Sequence, residues 1–250
     1  MNLGLDGTVA LITGGGGGLG RAVSVELARE GAHVIVLDVR STAAEATAEA
    51  ITDSGGEALP LVCDVADADA RAAALRAAIA WRGAPTAVCL NAGVGGYGTI
   101  ESLLVEEWRR IMAINLDANL HILRTLLSPM RAAGGGSIVA VSSPGAAAAG
   151  HPSSSAAYGV SKAGLERLMT DVADRHRADR IRANSVRPGP LDTDFVAHRL
   201  PGDGTHAARP PIGARLAPEA IAGPIAFLLS ARAMSITGQT VSLDGVPPDL

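Results

Sequence analysis

Short apolar runs and helical stripes of apolar residues alternate along nearly the whole chain. The runs are rich in Val, Ile, Leu and Ala and have the length of buried strands. They are Val9–Thr13, His33–Asp38, Ala58–Cys63, Thr86–Leu90, Ser137–Val141, Arg182–Val186 and Thr240–Leu243. Between them, apolar residues at helical spacing predict helices. These helices lie at about Ala22–Glu30, Ala43–Asp53, Asp67–Trp81, Glu106–Arg131, Ser155–Arg175 and Pro218–Leu229.

This alternation predicts a parallel sheet. A strand, a helix and a second strand in close succession form a crossover that places the two strands side by side and parallel. Its repetition predicts an α/β domain with a doubly wound sheet of about seven strands and helices on both faces. No linker or composition break divides the 250 residues, so we expect one domain. Pro190–Pro211 has no periodicity and predicts a mobile loop or lid.

The turn after the first strand carries five consecutive glycines. Thr13–Gly20 fits the pattern T-G-x-x-x-G-x-G. Gly14 would allow a tight turn, Gly18 would let the backbone approach a pyrophosphate, and Gly20 would let helix and strand pack closely. Phosphates would lie at the helix N-terminus, where N–H groups point outward. A glycine pattern alone is a weak signal, but its place between strand and helix favours a dinucleotide site over a flexible loop.

Asp38 ends the second predicted strand, and it bears on the choice of cofactor. An acid at this point can accept hydrogen bonds from the adenosine ribose hydroxyls, and it repels a 2′-phosphate. Arg40 lies close by and could bind a 2′-phosphate instead. No Lys or Arg lies within the glycine loop, so we expect NAD as the cofactor rather than NADP.

The only lysine of the chain, Lys162, follows one of its two tyrosines, Tyr158, by four residues. The segment reads as a helix, with Val160, Leu165 and Val172 at helical spacing, and positions i and i+4 share a face of a helix. A free phenol titrates near ~10, too high for ready proton transfer at neutral pH, and a nearby cation lowers its pKa. Arginine supplies the other 20 basic positions. A compact ammonium with three donors is therefore needed here, unless this is an ordinary surface lysine.

Composition excludes several classes of protein. The net charge is −4 with acids and arginines interspersed, so we expect no nucleic-acid partner. No apolar stretch reaches membrane-spanning length, and no signal segment begins the chain, so we expect no membrane and a cytoplasmic protein. Cys63 and Cys89 read as free thiols. The six histidines lack metal-ligand spacing, so no metal site is expected.

Taken together, these motifs resemble the short-chain dehydrogenase/reductase family over essentially all 250 residues. The resemblance implies a Rossmann-type fold and a catalytic set in which Ser143 accompanies Tyr158 as acid/base and Lys162 as its partner. Asn115 matches the asparagine that holds a water in the proton relay, and its apolar neighbours also suggest burial. The implied cofactor contacts are Gly14, Gly18, Leu19, Gly20, Asp38, Asp64, Val65, Asn91, Ala92, Gly93, Tyr158, Lys162, Pro188, Gly189 and Thr193.

The chain departs from the family pattern in two places. Ser143 lies slightly further from Tyr158 than is usual, which leaves Ser142 as an alternative; Ser143 ends the strand run and is preferred. The C-terminal segment Val246–Leu250 follows Asp244-Gly245 where many members carry a second glycine. In the family this segment can reach toward a neighbouring subunit's site.

The sequence therefore predicts an NAD-dependent oxidoreductase acting on a secondary alcohol or ketone. The alternatives are an NADP-dependent ketoreductase such as a 3-oxoacyl reductase, and a nonenzymatic dinucleotide sensor, although such sensors often lose the Tyr/Lys pair. An epimerase or dehydratase would need a larger C-terminal region. Tyr97, His151 and the loop Pro190–Pro211 are expected to shape the pocket. The family pairs its long helices between subunits, so a homodimer or homotetramer is expected.

Overall fold

A single parallel sheet forms the centre of the molecule. The computed structural model describes residues 3–96, 99–147, 155–193 and 216–244. The strands are β1 (Val9–Thr13), β2 (His33–Asp38), β3 (Glu57–Val62), β4 (Ala87–Leu90), β5 (Gly136–Val141), β6 (Ile181–Pro188) and β7 (Thr240–Leu243). Every pairing is parallel, in the order β3-β2-β1-β4-β5-β6-β7. The predicted doubly wound α/β fold is confirmed.

Helices connect the strands on both faces. They are α1 (Gly18–Arg29), α2 (Ser41–Asp53), α3 (Ala68–Arg82), α4 (Val105–Met112), α5 (Ala118–Ala132), α6 (Ala156–Arg175) and α7 (Pro218–Leu229). Short 3₁₀ turns occupy Pro144–Ala146 and Ala231–Ala233. None of the helices within the described ranges is both long and apolar enough to cross a membrane.

The core has two layers because successive strand residues point to opposite faces of the sheet. In β1, Ala10 and Ile12 pack with the buried faces of α1, α2 and α7, whereas Val9 and Leu11 pack with those of α3, α5 and α6. The strands are buried on both faces, which explains why their sequences are continuously apolar rather than alternating.

The helix predicted over Glu106–Arg131 is not one regular helix. α4 ends at Met112, a π-helical segment covers Ala113–Asp117, and α5 begins at Ala118. A π segment adds a residue to a turn, and such segments often occur at functional sites. This one contains Asn115, whose hydrogen bonds to a neighbouring loop are described below, and apolar periodicity gave no sign of the insertion.

The buried stripe of the tyrosine helix also differs from the predicted one. Val160 is 49% exposed, while Leu165, Met169 and Val172 are buried. The inner face of α6 continues through Tyr158 and Lys162 instead: both are buried, and the Lys162 side chain turns toward the end of β5. Apolar spacing misplaced this end of the stripe because its inward-facing residues are polar.

Both cysteines are free thiols in the protein interior. Burial raises the pKa of the Cys89 thiol to about 12. Burial, and then the negative charge of Asp64, raise the pKa of Cys63 to about 11. Both thiols are therefore neutral at pH 7. Tyr97, His151, most of the predicted Pro190–Pro211 loop and the segment Val246–Leu250 lie outside the described residues.

Arg182 of β6 connects the sheet to the end of α7 by hydrogen bonds. Its guanidinium donates to the carbonyls of Leu228 (2.8 Å), Ser230 (2.8 Å) and Ile236 (3.2 Å). Burial lowers the pKa of this arginine, which remains a cation at neutral pH. The last carbonyls of a helix lack intrahelical partners, so Arg182 acts as a side-chain cap.

Replacing Arg182 with methionine should therefore destabilise the fold. Arg182→Met removes three charge-assisted hydrogen bonds, although each carbonyl keeps one other donor, from the Ser137 hydroxyl, the Asn184 amide or the Ala233 N–H. We expect a loss of about 3 kcal/mol in the free energy of unfolding. Urea denaturation followed by circular dichroism measures this loss. Arg175→Met is the matched control. Among the residues that the structure describes, Arg175 pairs only with Asp171, at an exposed position, so its replacement should cost less than about 0.5 kcal/mol. Equal losses in the two variants would contradict the capping role.

Candidate active site

The residues singled out in the sequence collect at the carboxyl edge of the sheet. Each follows a strand: the glycine turn follows β1, Asp38 ends β2, Asp64 follows β3, Asn91 follows β4 and Ser143 follows β5. The strand order reverses between β1 and β4, whose connections leave on opposite sides. Such a switch point opens a crevice in which ligands bind in doubly wound folds.

The glycine turn is tightly packed against its surroundings. Gly14 and Gly18 have positive φ values of 64° and 49°, which glycine adopts without strain. A Cβ on Gly20 would lie only 1.9 Å from the Gly14 carbonyl oxygen. Leu19 is buried beneath the turn. No larger residue fits at Gly20, as the sequence pattern requires.

Asp38 holds this turn from the end of β2. Its Oδ2 accepts from the Gly16 N–H and its Oδ1 from the Arg40 N–H, both at 3.0 Å. The Arg40 side chain is 61% exposed, with its Nε 3.6 Å from Asp38 Oδ1. Its Nη2 lies 2.6 Å from where a Cβ on Gly17 would stand. A carboxylate and a guanidinium therefore both border the glycine turn.

Asn91 joins β1 to β4 across the switch point. Its Nδ2 donates to the carbonyls of Thr13 and Gly14, both at 3.1 Å. The Thr13 hydroxyl in turn accepts from the N–H groups of Asn91 and Ala92, both at 3.0 Å. These four bonds fix the glycine turn to the loop that begins with Asn91-Ala92-Gly93.

The outer predicted contacts border the same crevice. Asp64 is exposed and accepts from the Ala66 N–H at 2.9 Å, and Val65 is buried. Pro188 ends β6, and the Gly189 N–H donates to the Leu243 carbonyl at 3.1 Å. Thr193 crosses over to the glycine turn, where a Cβ on Gly18 would lie 3.2 Å from Thr193 Cγ2. The crevice is thus bordered from β3 to β6.

Tyr158 and Lys162 lie one helical turn apart on the inner face of α6. Their exposed fractions are 5% and 3%. The Lys162 Nζ donates to the Val141 carbonyl at 2.7 Å and lies 5.8 Å from the centre of the Tyr158 ring. A buried ammonium requires such partners. This arrangement excludes the reading of Lys162 as a surface residue.

Asn115 is fully buried beside the same site. Its Oδ1 accepts from the Val94 N–H at 2.8 Å, and its Nδ2 donates to the Val94 carbonyl at 2.9 Å and the Ser161 hydroxyl at 3.1 Å. A Cβ on Gly93 would lie 3.3 Å from both Asn115 Oδ1 and Lys162 Nζ. The Asn115 amide and the Lys162 ammonium thus both border Gly93.

The two serines after β5 have different surroundings. Ser142 is buried, and its hydroxyl donates to Glu166 Oε1 at 2.5 Å. Ser143 is half-buried, and its hydroxyl accepts from the Gly145 N–H at 3.3 Å. The Ser142 side chain is thus engaged with α6.

The arrangement suits an elongated ligand with phosphates at one end. The glycine turn offers close backbone approach at a helix N-terminus, and Asp38 presents a carboxylate beside it. At the other end, Ser143, Tyr158 and Lys162 bring together a hydroxyl, a phenol and an ammonium, with the buried amide of Asn115 nearby. Within the described ranges, no three His, Cys, Asp or Glu residues cluster closely enough to hold a metal ion.

Several polar residues of the site were not predicted from the sequence. The Thr13 hydroxyl accepts two backbone bonds, and Glu166 binds both Ser142 and Arg187. For Glu166 a signal did exist, because it follows Lys162 by four residues as Lys162 follows Tyr158. Its partners come from other strands, so spacing alone could not assign them.

Comparisons with known proteins agree with this geometry. A family model described as enoyl-(acyl carrier protein) reductase matches residues 15–245. The chain is 39% identical over 240 residues to cis-4-hydroxycyclohexanecarboxylate dehydrogenase of Sinomonas cyclohexanicum, covering 95% of each. It is 34% identical over 238 residues to cyclohexanol dehydrogenase of Acinetobacter sp., covering 95% of this chain and 93% of the relative.

A solved structure shares the fold. The short-chain type dehydrogenase/reductase from Mycobacterium marinum superposes with a TM-score of 0.92 at 30% identity, covering 98% of this chain and 96% of that one. Sequence match, fold and full-length coverage point to one family. The chain belongs to the short-chain dehydrogenase/reductase family.

Proposed function

We propose that this protein is an NAD-dependent dehydrogenase that interconverts a secondary alcohol and its ketone. Its relatives are oxidoreductases acting on alcohols and ketones, and the family uses nicotinamide cofactors, NAD or NADP. The observation that carries the proposal is the buried pair of Tyr158 and Lys162 beside Ser143 at the carboxyl edge of the sheet.

Tyr158 is the proposed acid/base. In alcohol oxidation its phenolate takes the hydroxyl proton, and in ketone reduction its phenol returns that proton. Ser143 donates a hydrogen bond to the substrate oxygen. Lys162 favours the phenolate by its charge and is assigned the nicotinamide ribose as a second partner. A bound nicotinamide supplies the hydride acceptor for oxidation and the donor for reduction.

Asn115 is assigned to the proton path. Its buried amide borders Gly93, as the Lys162 ammonium does, and it donates to Ser161 of α6. A water held there would connect the lysine with solvent, as the family resemblance implies. The cofactor contacts proposed along the crevice are Gly14, Gly18, Leu19, Gly20, Asp38, Asp64, Val65, Asn91, Ala92, Gly93, Pro188, Gly189 and Thr193.

The substrate class proposed is a cyclic secondary alcohol. Both relatives described above are named for alcohols on a cyclohexane ring. Only 2% of the residues are aromatic, so the pocket walls are expected to be aliphatic, which suits a saturated ring. The alternatives are a 3-oxoacyl reductase and a nonenzymatic dinucleotide sensor. A 3-oxoacyl reductase would prefer NADPH and acyl thioesters, and a sensor would show no turnover.

The choice of NAD rests on Asp38. Its carboxylate lies against the glycine turn and would repel a 2′-phosphate, whereas the exposed Arg40 guanidinium would attract one. The carboxylate is fixed by two backbone donors, while Arg40 reaches the turn with a largely exposed side chain. A preorganised charge acts more strongly than a mobile, solvated one, which favours NAD.

We expect NADH to bind at least about 10-fold more tightly than NADPH, a difference of about 1.4 kcal/mol. Protein fluorescence titration measures both dissociation constants. Asp38→Gly should narrow the difference, and Glu45→Gln, which removes an exposed acid from α2, should leave it unchanged. Tighter binding of NADPH than of NADH by the wild-type protein would refute the proposal that NAD is the cofactor. It would indicate instead that Arg40 binds the 2′-phosphate of NADP.

The second prediction concerns the proposed role of Lys162 beside Tyr158. Lys162→Arg keeps the charge but replaces a compact donor with a planar fork. We expect a fall of at least about 100-fold in kcat/KM, about 2.7 kcal/mol of transition-state stabilisation. Cyclohexanol oxidation followed by NADH absorbance provides the measurement. The control is Arg167→Lys, which replaces an arginine with a lysine at an exposed position of the same helix, α6. It should leave kcat/KM unchanged. Wild-type kinetics in Lys162→Arg would disprove the role.

The pH dependence of the reaction rate is a second test of the interaction between Tyr158 and Lys162. Oxidation needs the phenolate, so its rate should rise with pH through the pKa of Tyr158, and reduction should fall over that window. Removing the charge in Lys162→Met should move the inflection upward, toward the value of free tyrosine, ~10. An inflection unaffected by the substitution would show that Lys162 does not tune the phenol.

A homodimer or homotetramer is the proposed assembly. Exposed apolar side chains lie on or beside the consecutive helices α4, α5 and α6, namely Leu104, Val105, Leu120 and Val160. Burying such side chains against a second copy removes apolar area from water. A reducing compartment such as the cytoplasm would suit the two buried thiols.

Light scattering at micromolar concentration should therefore report a mass of two or four chains. Leu120→Arg places a charge on the proposed interface and should lower that mass. Val62→Arg, at an exposed valine of the edge strand β3, should not. A wild-type protein that is monomeric at this concentration would refute the assembly.

A further inference from the structure

The helix that carries Tyr158 and Lys162 presents a third polar residue on the same side. Glu166 follows Lys162 by one further helical turn, and its side chain is 13% exposed. Buried carboxylates are costly unless paired. The proposed proton transfer makes no use of this one, so its presence beside the site needs a separate explanation.

Glu166 is bound from two neighbouring strands. Arg187 of β6 donates through Nε to Oε1 at 2.7 Å and through Nη2 to Oε2 at 2.6 Å. This two-point contact fixes the plane of the carboxylate as well as its distance. The pairing with Glu166 also raises the pKa of Arg187. A carboxylate held this way has a set position and can orient a third group.

The third group is Ser142. Its hydroxyl donates to Oε1 of the same carboxylate at 2.5 Å, and its N–H donates to the Val186 carbonyl at 2.8 Å. Ser142 is thus held at both its backbone and its side chain. The next residue is Ser143, whose own hydroxyl has only a 3.3 Å contact with the Gly145 N–H among the described hydrogen bonds.

Two adjacent residues of β5's end are therefore held by successive turns of α6. Lys162 binds the Val141 carbonyl at 2.7 Å, and Glu166 binds the Ser142 hydroxyl. Side chains of consecutive extended residues point to opposite sides. Ser143 is itself extended, with φ −162° and ψ 152°, so fixing Ser142 toward Glu166 directs the Ser143 side chain to the opposite side of the backbone.

We propose that Glu166 is a positioning residue for Ser143: clamped by Arg187, it anchors Ser142 and so sets the serine hydroxyl against the substrate oxygen. The inference rests on the proposed dehydrogenase function, because it assigns Glu166 a role only through Ser143. It also favours Ser143 over Ser142 as the residue that meets the substrate, because the Ser142 hydroxyl is bound to Glu166.

The first measurement is the oxidation of cyclohexanol with NAD by Glu166→Gln, a change that keeps side-chain size. We expect kcat to fall about 10- to 100-fold, since misplacing a reacting group by about 1 Å has this effect. The KM for cyclohexanol and the dissociation constant of NADH should change less than about threefold. Ser142→Ala leaves the Glu166–Arg187 pair intact and should lower kcat in the same way, by about 3- to 10-fold.

A matched control separates this effect from the loss of any ion pair on α6. Asp171→Asn breaks the exposed pair with Arg175 on the same helix and should leave kcat unchanged. Thermal unfolding of each variant shows whether it is folded at the assay temperature. A fall in kcat in Asp171→Asn equal to that in Glu166→Gln would contradict a specific role.

The decisive comparison is a double-mutant cycle with Ser143→Ala. If Glu166 acts through Ser143, adding Glu166→Gln to Ser143→Ala should lower kcat by less than about threefold further, because coupled residues are not additive. The full 10- to 100-fold fall in both backgrounds would overturn the proposal. No turnover of cyclohexanol or other cyclic alcohols by the wild type would instead refute the proposed function, and the role of Glu166 with it.

Discussion

The parallel pairing of the strands is the constraint on which the site depends. Because every ladder runs in one direction, the segments that follow β1 to β6 all emerge at the same edge. Residues separated by more than a hundred positions, such as Gly18 and Thr193, therefore come into contact. The apolar layers on both faces hold the sheet, and burial of these layers is the main favourable contribution to folding. The chemistry is thus confined to one edge, where the backbone leaves the core.

Around the switch point, polar side chains substitute for the ladder bonds that the strands no longer make. Asn91 and Thr13 bind each other's backbone, and Asp38 binds the Gly16 N–H. Buried backbone donors left without partners would each cost about 1–3 kcal/mol. The residues that shape the glycine turn therefore stabilise the backbone at the switch point, and the turn that they hold is also suited to binding a ligand.

On the other side of the crevice, α6 organises the proposed catalytic groups. Tyr158, Lys162 and Glu166 succeed one another at four-residue intervals, and the last two bind the end of β5 directly. The π segment before α5 brings Asn115 against Val94 and Ser161. Rigid elements therefore carry each group, which is the arrangement that proton transfer and substrate orientation require.

The sequence by itself determined the order of elements, the parallel sheet, the glycine turn and the pairing of Tyr158 with Lys162. These features follow from local rules: apolar runs, glycine conformations and the four-residue repeat of a helix. Only the tertiary structure decided that Ser142 turns toward Glu166, that Arg187 clamps that carboxylate, and that a π segment presents Asn115. Each of these depends on the register between strands and on how a helix crosses them. Contacts of that kind join residues distant in sequence, and no local pattern encodes them.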